Sequence, residues 1–208
     1  PEELTVFNNE LYFQADDGIN GAELWKYDGV NAPSMVADIK KTGSGNSYPA
    51  QLTVFNNELY FQANDGTNGY ELWKYDGTNA PSMVADIYPG GGGGMISNDL
   101  TVFNNELYFC ASGGTFGYEL WKYDGTNAPS MVADIYPGSN LGSFPNFFTI
   151  FNNELYFSAD DGTNGFELWK YDGTTASMVA DIFPGGDDSH PEELTVFNNE
   201  LYFQADDG

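Results

Sequence analysis

The sequence predicts an all-β protein made of repeated four-stranded antiparallel sheets. The first observation is a repeat: the heptapeptide Glu-Leu-Trp-Lys-Tyr-Asp-Gly begins at Glu23, Glu71, Glu119 and Glu167, with 48 residues between successive copies. The second is the pattern within each repeat, where four short runs rich in β-branched and aromatic residues alternate with turn formers. Apolar residues show no 3.6-residue period, so we expect essentially no helix.

The first strand of each repeat is followed by an Asn-Asn pair. The predicted first strands cover residues 4–7, 52–55, 100–103, 147–151 and 194–197. Asn adopts positive φ more readily than most residues, and two-residue hairpin loops need it at both positions. The pair therefore predicts a tight hairpin that leads into a second strand, residues 10–15 in the first repeat.

The heptapeptide itself is the third strand, and a cluster of Asp, Gly and Asn precedes it as a turn. A second Asp-Gly turn leads to the fourth strand. The predicted fourth strands cover residues 34–39, 82–87, 130–135 and 177–182. Connections rich in Gly, Pro and Ser, such as residues 88–96 and 136–144, then lead to the next repeat and vary most between repeats, as surface segments do.

Bulky apolar side chains occur on both faces of the second and third strands. Tyr12 and Phe13 are adjacent and therefore point to opposite faces of the strand, and so do Leu24 and Trp25. A sheet with one face in water would alternate apolar and polar residues. The pattern therefore predicts sheets stacked between neighbouring sheets, as blades are in a β-propeller, with an open or superhelical stack of the same sheets as the alternative.

The chain is expected to form a single repeat domain with four complete units and part of a fifth. The units are residues 1–48, 49–96, 97–144 and 145–190, and the partial unit 191–208 is identical to residues 1–18. The extra hairpin is spare in a ring of four blades, incomplete in a ring of five, or free to pair with another chain. We predict that it packs as the start of a fifth blade, in a five-position ring or against a neighbouring chain, and so buries its apolar residues, which are Leu194, Val196, Phe197, Leu201, Tyr202 and Phe203. The chain also starts and stops within the repeat pattern, as expected of a piece of a longer protein.

The composition is strongly acidic, with 31 Asp and Glu against six basic residues and a formal net charge of −25. Binding to nucleic acid or to anionic membranes depends on Lys and Arg, so neither is an expected partner. No apolar run is long enough to insert in a membrane.

Catalytic chemistry is not expected, because the sequence lacks a convergent set of reactive residues. His190 and Cys110 are the only residues of their types, and they fall in a connection and a strand of different units. A zinc site needs several such ligands. The sequence thus indicates a protein that is not an enzyme and has no cofactor, with Ca²⁺ as the one exception considered.

Two Asp-Asp-Gly turns are candidate Ca²⁺ sites, with Asp16, Asp17, Asp160 and Asp161 as ligands. Ca²⁺ prefers six to eight oxygen ligands, which carboxylates supply. Asp, Asn and Gly are equally the residues that tight turns use. The third unit has Ser112 and Gly113 in place of the acids, so a cation would not bind there in the same way.

Carbohydrate is the ligand class that the aromatic and amide-rich composition favours. The Trp residues are predicted to pack in the core rather than to stack on sugars. The position before each heptapeptide varies among otherwise similar repeats, which makes Tyr70, Tyr118 and Phe166 better candidate ligand contacts. The acids of the Asp-Gly turns are the polar candidates, namely Asp28, Asp76, Asp124 and Asp172.

The heptapeptide resembles the bacterial ELWxxDGT repeat family through Glu23, Leu24, Trp25, Asp28, Gly29 and their copies. Thr follows the Gly in three repeats, and Val30 departs from the pattern in the first. The resemblance implies a propeller in a secreted or cell-surface protein and implies no particular activity. We therefore expect an extracellular binding module, lectin-like with one weak site per blade. The alternative is an assembly protein whose terminal hairpins join copies of the chain into rings or filaments.

Overall fold

The computed structural model describes residues 2–41, 45–90, 93–95, 99–138 and 141–208. All of its regular elements are β-strands, which form four four-stranded antiparallel sheets and one two-stranded hairpin. This confirms the all-β prediction and the four-stranded blades of a β-propeller. In the described part of the chain, no helix could span a membrane.

Each blade is a meander in which consecutive strands pair. Blade 1 contains β1 (Glu2–Phe7), β2 (Glu10–Asp16), β3 (Ala22–Tyr27) and β4 (Ser34–Ala37). Blade 2 contains β5 (Ala50–Phe55), β6 (Glu58–Asn64), β7 (Tyr70–Tyr75) and β8 (Ser82–Met83). Blade 3 contains β9 (Thr101–Phe103), β10 (Glu106–Ser112), β11 (Tyr118–Tyr123) and β12 (Ser130–Ala133). Blade 4 contains β13 (Asn146–Phe151), β14 (Glu154–Asp160), β15 (Phe166–Tyr171) and β16 (Ala176–Ala180). The terminal hairpin contains β17 (Glu192–Phe197) and β18 (Glu200–Gln204).

The Asn-Asn turns form as predicted. In the first hairpin Asn8 has φ 48° and Asn9 has φ 64°, and the other four pairs have the same conformation. Because both central residues are left-handed, the turn matches the twist of the strands that it joins.

The fourth strands are shorter than predicted. β4 ends at Ala37 and β8 at Met83, although the apolar pattern continued to residues 39 and 87. Beyond the strand ends, backbone N–H groups donate to a side chain of the third strand instead of to its backbone: Ile39 N donates to Glu23 Oε2 at 3.0 Å, and Ile87 N donates to Glu71 Oε2 at 3.1 Å.

The chain forms two compact units, Pro1–Met95 and Ile96–Gly208. In the first unit, the forward face of blade 1 packs on the backward face of blade 2 through a core that includes Phe7, Tyr12, Leu52 and Phe61. In the second unit, Phe103 and Tyr108 of blade 3 pack with Phe157 of blade 4 in the same way. The forward face of a blade is the face that meets the following blade, and the backward face is the opposite face of the same sheet. Face-to-face packing of neighbouring blades is thus present within each unit.

Neighbouring first strands are linked near a bulge. Glu3 has φ 58°, and the register of β1 and β2 shifts between Glu2 and Thr5. From this position Glu3 Oε2 accepts a hydrogen bond from Gln51 N at 2.8 Å, and Thr5 Oγ1 donates to Leu52 O, also at 2.8 Å. Both bonds fix β1 against β5.

The terminal hairpin is paired and docked on blade 4, as predicted. β17 lies beside β13, where Thr149 Oγ1 donates to Leu194 O at 3.0 Å, and Leu194 is buried. The expected burial of the remaining apolar residues is wrong for this single chain. Four large side chains stay exposed, namely Val196, Phe197, Tyr202 and Phe203. Of these, Phe197 and Tyr202 lie on the face that no following sheet covers.

Candidate ligand-binding site

A small polar pocket lies at the end of the blade that carries the Asn-Asn and Asp-Gly turns. In blade 1 it has a volume of about 310 Å³ and is lined by Glu10, Lys26, Asp28, Asn31, Ala32 and Ser34. In blade 3 the corresponding pocket has a volume of about 340 Å³ and is lined by Glu106, Lys122, Asp124, Asn127, Ala128 and Ser130. The two sets match residue for residue, so the repeat builds the same cavity twice.

One wall of the blade 1 pocket is a half-buried ion pair. Lys26 Nζ lies 3.0 Å from Glu10 Oε1, and Tyr12 Oη donates to Glu10 Oε2 at 2.8 Å. The hydrogen bond from Lys26, then that from Tyr12, lowers the pKa of Glu10, and the bond to Glu10 raises the pKa of Lys26. The wall therefore carries one fixed negative and one fixed positive charge over a wide pH range.

The opposite wall is the Asp28 turn. Asp28 Oδ1 accepts hydrogen bonds from Val30 N and Asn31 N, both at 2.8 Å, and Asn31 Nδ2 donates to Oδ2 at 2.6 Å. These bonds lower the pKa of Asp28 to about 2, with the Asn31 side chain as the largest cause. The carboxylate is thus ionised and holds the turn that shapes the pocket.

The ion pair and the turn recur in every blade. The further ion pairs are Lys74 with Glu58, Lys122 with Glu106, and Lys170 with Glu154. Blade 4 differs in its turn, because Thr175 stands where the other blades have Asn; Thr174 Oγ1 donates to Asp172 there, and the pKa of Asp172 is again lowered to about 2.

The structure separates the two groups of predicted ligand contacts. Asp28, Asp76, Asp124 and Asp172 all lie in the turn after the third strand. Tyr70, Tyr118 and Phe166 instead begin that strand, on the order of 20 Å away at about 3.3 Å per residue. One small ligand cannot contact both groups in a blade.

The aromatic candidates pack on the connection that leaves the blade. The ring of Tyr118 stacks on Phe144 with centroids 5.2 Å apart, and Phe166 stacks on His190 at 5.7 Å. All three candidates are half-buried, and burial raises the pKa of Tyr70. The residue type at this position therefore differs between blades together with the residue of the connection on which it stacks, as Tyr118 with Phe144 and Phe166 with His190 show.

The proposed Ca²⁺ ligands lie in turns whose oxygens accept local hydrogen bonds. Asp17 Oδ1 accepts from Ile19 N and Asn20 N, Asn20 Nδ2 donates to Asp17 Oδ2, and Asp161 has the equivalent bonds. Asp16 and Asp160 each accept a bond from the following Gly. Within the described ranges, no three Asp, Glu, His or Cys side chains cluster to hold a metal. Binding of Ca²⁺ at these turns stays a prediction.

The sequence analysis missed the role of the heptapeptide Glu. Glu23, Glu71, Glu119 and Glu167 are each fully buried. Glu119 Oε2 accepts hydrogen bonds from Ile135 N at 2.9 Å and Ser143 Oγ at 2.6 Å, and Oε1 accepts from Ser143 N at 3.1 Å. Burial raises the pKa of Glu23, Glu71 and Glu119.

A sequence signal for this role exists. Glu23 is on the same strand face as Trp25, and a charged residue between apolar core positions needs a buried partner. Ser47, Ser143 and Ser189 each precede an aromatic or His residue and a Pro. This Ser is buried and donates to the Glu, which makes the Glu a tether for the connection.

The Trp side chains belong to the packing between sheets. Trp73 is buried in the core shared by blades 1 and 2, and Trp169 packs against the core of blades 3 and 4. Trp25, Trp121 and Trp169 are half-buried, so their burial is less complete than that of Trp73. Trp73 also borders a cleft of about 420 Å³ together with Asp38 and Asp65.

No protein-family model matches the chain. No curated protein matches it either. Several solved structures are similar. A puromycin hydrolase superposes with a TM-score of 0.59 at 14% identity, over 99% of this chain and 36% of that one. The β-propeller domain of the Trilobed protease from Pyrococcus furiosus, described as having an open velcro topology, superposes with a TM-score of 0.55 at 9% identity, over 86% of this chain and 51% of that one. An acylaminoacyl peptidase from Pyrococcus horikoshii gives 0.53 at 11% identity, over 86% of this chain and 26% of that one. The chain thus spans from about a quarter to about a half of the length of these proteins. At such low identities the similarity shows only the fold, which is the β-propeller fold.

Proposed function

We propose that the chain is a non-enzymatic binding module that recognises carbohydrate through one weak site per blade. The observation that carries the proposal is the pocket that recurs with identical lining residues in blades 1 and 3. Repetition of a weak site raises overall avidity without any new contact, provided that the ligand reaches several sites at once.

The chemistry of the pocket suits a neutral ligand with several hydroxyl groups. A hydroxyl both donates and accepts, and the lining offers the Lys26 ammonium as donor, the Glu10 carboxylate as acceptor and the Ser34 hydroxyl as either. Lys26 is already paired with Glu10, and the ionised Asp28 adds a second negative charge, so the pocket disfavours an anionic ligand.

Several further points support a binding role. Cys110 is buried in β10, where desolvation raises the pKa of its thiol and keeps it unreactive. His190 lies in the connection after blade 4 and stacks on Phe166. The resemblance to the ELWxxDGT repeats and the acidic charge favour an extracellular or cell-surface location. Nucleic acid and membrane insertion are not part of the proposal.

Glycan-array binding of the intact protein tests the proposal. Substituting Leu for Ala32 and Ala128 should fill both pockets without removing a hydrogen-bonding group. We expect the avidity for an array glycan to fall at least about tenfold, because two sites are lost together. Val30 lies in the same turn but does not line the pocket, so Val30→Leu is the matched control and should bind normally. An array on which no glycan is retained, or an avidity that Ala32→Leu with Ala128→Leu leaves unchanged, would rule the carbohydrate function out.

A further inference from the structure

The cleft beside Trp73 lies between blades 1 and 2, inside the first compact unit, and is separate from the polar pockets described above. Its volume is about 420 Å³. Blade 1 contributes the segment that follows β4, including Asp38 and Lys41, and blade 2 contributes Asp65, Thr67 and the ring of Trp73. The cleft thus has an aromatic wall and a polar turn beside it.

The second unit shows an aromatic ring at the equivalent place. Tyr136 belongs to the connection that leaves blade 3, and its ring lies so close to Gly162, in the turn between β14 and β15 of blade 4, that a Cβ atom on this Gly would collide with it. The ring of Phe183 lies against Gly208, after the terminal hairpin, where a Cβ atom would lie 3.1 Å from the ring. A ring from the connection of one blade therefore covers the turn of the next blade.

Blade 1 does not supply this ring. Lys40 stands at the position of Tyr136 two repeats earlier, and its side chain lies along Gly45 of its own connection. The Gly of blade 2 that corresponds to Gly162 is Gly66, and both of its neighbours in the sequence line the cleft. The cleft is thus open beside the turn that an aromatic ring covers in the second unit.

The residues that form the cleft recur around the second turn. Six of them have an identical counterpart two repeats later, namely Ala133, Asp134, Ile135, Asp161, Thr163 and Trp169. Two others do not, because Pro137 replaces Lys41 and the shorter turn of blade 4 lacks a counterpart of Pro81. Most of the surroundings of the Tyr136 ring are therefore present in blades 1 and 2 without the ring.

We propose that this cleft binds an aromatic side chain, Tyr or Phe, of a partner polypeptide, with the ring seated beside Gly66 as the ring of Tyr136 is seated beside Gly162. A side chain is the form in which the fold itself places a ring at this turn. The space suffices, since an enclosed cavity of about 150 Å³ already binds benzene. The indole of Trp73 offers the offset or edge contact that aromatic pairs prefer. This site does not rest on the proposed carbohydrate function.

The turn beside the cleft is formed before any partner binds. Asp65 Oδ1 accepts hydrogen bonds from Thr67 N and Asn68 N, both at 2.8 Å, and Asn68 Nδ2 donates to Asp65 Oδ2 at 2.7 Å. A ring can therefore enter without ordering the turn, which keeps the entropic cost of binding low.

The indole N–H signals of the intact ¹⁵N-labelled protein report on the site, because the chain has four Trp and Trp73 lines the cleft. The probe is the blocked tripeptide acetyl-Gly-Tyr-Gly-amide, and acetyl-Gly-Leu-Gly-amide is its matched control. We expect the Tyr peptide to shift the Trp73 signal, assigned with Trp73→Phe, with a dissociation constant on the order of 1 mM. The Leu peptide should bind at least about tenfold more weakly, because it offers no ring.

Three variants test where the ring binds. Lys40→Tyr should place a ring of the chain's own on Gly66 and abolish the shift of the Trp73 signal. Lys40→Ala removes the same Lys without adding a ring and should bind the Tyr peptide as the wild type does. Tyr136→Ala should open the second place, so that the peptide then shifts the Trp169 signal as well. Circular dichroism and melting show whether each variant is folded.

A Trp73 signal that the Tyr peptide does not move, or that the Leu peptide moves equally, overturns the proposal. So does a folded Lys40→Tyr protein that binds the Tyr peptide normally, or a folded Tyr136→Ala protein whose Trp169 signal stays fixed. The carbohydrate function succeeds or fails separately, because Ala32→Leu with Ala128→Leu alters other pockets and should leave peptide binding unchanged.

Discussion

At the scale of single residues, the acidic composition has two distinct structural uses. The turn acids, such as Asp28, lie at the surface and accept three hydrogen bonds from their own turn. The heptapeptide acids, such as Glu119, are buried and bind the connection between blades. Hydrogen bonds to the charged form lower the pKa of Asp28, whereas burial raises the pKa of Glu119, so these two carboxyl groups shift in opposite directions.

The turn at Asp28 predicts a defined pH dependence. Folding lowers the pKa of Asp28 from 3.8 to about 2, so the unfolded chain binds more protons between these values. The stabilisation is complete above pH 3.8 and is lost as the pH falls towards 2. The melting-temperature difference between the wild type and Asp28→Asn should therefore shrink over this range. Val30→Leu, in the same turn, removes no titrating group, and its difference should not change with pH; a constant difference for Asp28→Asn would contradict the assignment.

At the scale of elements, the hairpins and the connections are held by different means. The hairpins depend on local backbone conformation, with left-handed Asn8 and Asn9 as the first example. The connections depend on a long-range tether from the third strand, such as that between Glu119 and Ser143. A tether of this kind holds connections of different composition against the third strand of each blade.

The tether predicts a large loss of stability on truncation. Glu119→Ala leaves three donors of Ile135 and Ser143 without their acceptor, at about 1–3 kcal/mol for each buried group, so we expect a loss on the order of 3–5 kcal/mol. Ser143→Ala removes one of these bonds and should cost about 1–2 kcal/mol. Urea unfolding measures both. Glu119→Gln keeps an acceptor and should lose less, and a Glu119→Ala protein within about 0.5 kcal/mol of the wild type would show that the tether is dispensable.

At the scale of the whole molecule, a formal charge of −25 works against the compact state. Four of the six Lys residues form half-buried ion pairs with Glu, namely Lys26, Lys74, Lys122 and Lys170. Repulsion among the remaining acids is therefore screened mainly by dissolved salt.

Salt and Ca²⁺ should both raise the melting temperature. Going from about 0.01 M to about 0.15 M ionic strength shortens the screening length from about 30 Å to about 8 Å, which weakens repulsion between surface acids. At matched ionic strength, Mg²⁺ should match Ca²⁺ if screening is the cause. An extra effect of Ca²⁺ that Asp17→Asn and Asp161→Asn abolish would instead establish a specific site at those turns.

The sequence by itself determined the strands, the turns and the blades, because these follow from patterns that repeat locally. A short run of apolar and aromatic residues between turn formers predicted the third strand around Trp25, and paired Asn residues predicted left-handed hairpin turns. The Asp-Gly pair also repeats locally, and this repetition identified the Asp of each such turn as a candidate ligand contact. The sequence also suggested stacking, since bulky side chains occur on both faces of the inner strands.

Only the tertiary structure decided which side chains meet. It placed Tyr70 and Asp76 at opposite ends of β7, added Lys26 and Glu10 to the pocket of Asp28, and buried Glu119 against a Ser that lies 24 residues further along the chain. It also showed that one hairpin sequence is covered in blade 1 and open at the end of the chain. Identical residues have identical local preferences, but burial depends on what lies on the other side of the sheet, and that information is not local.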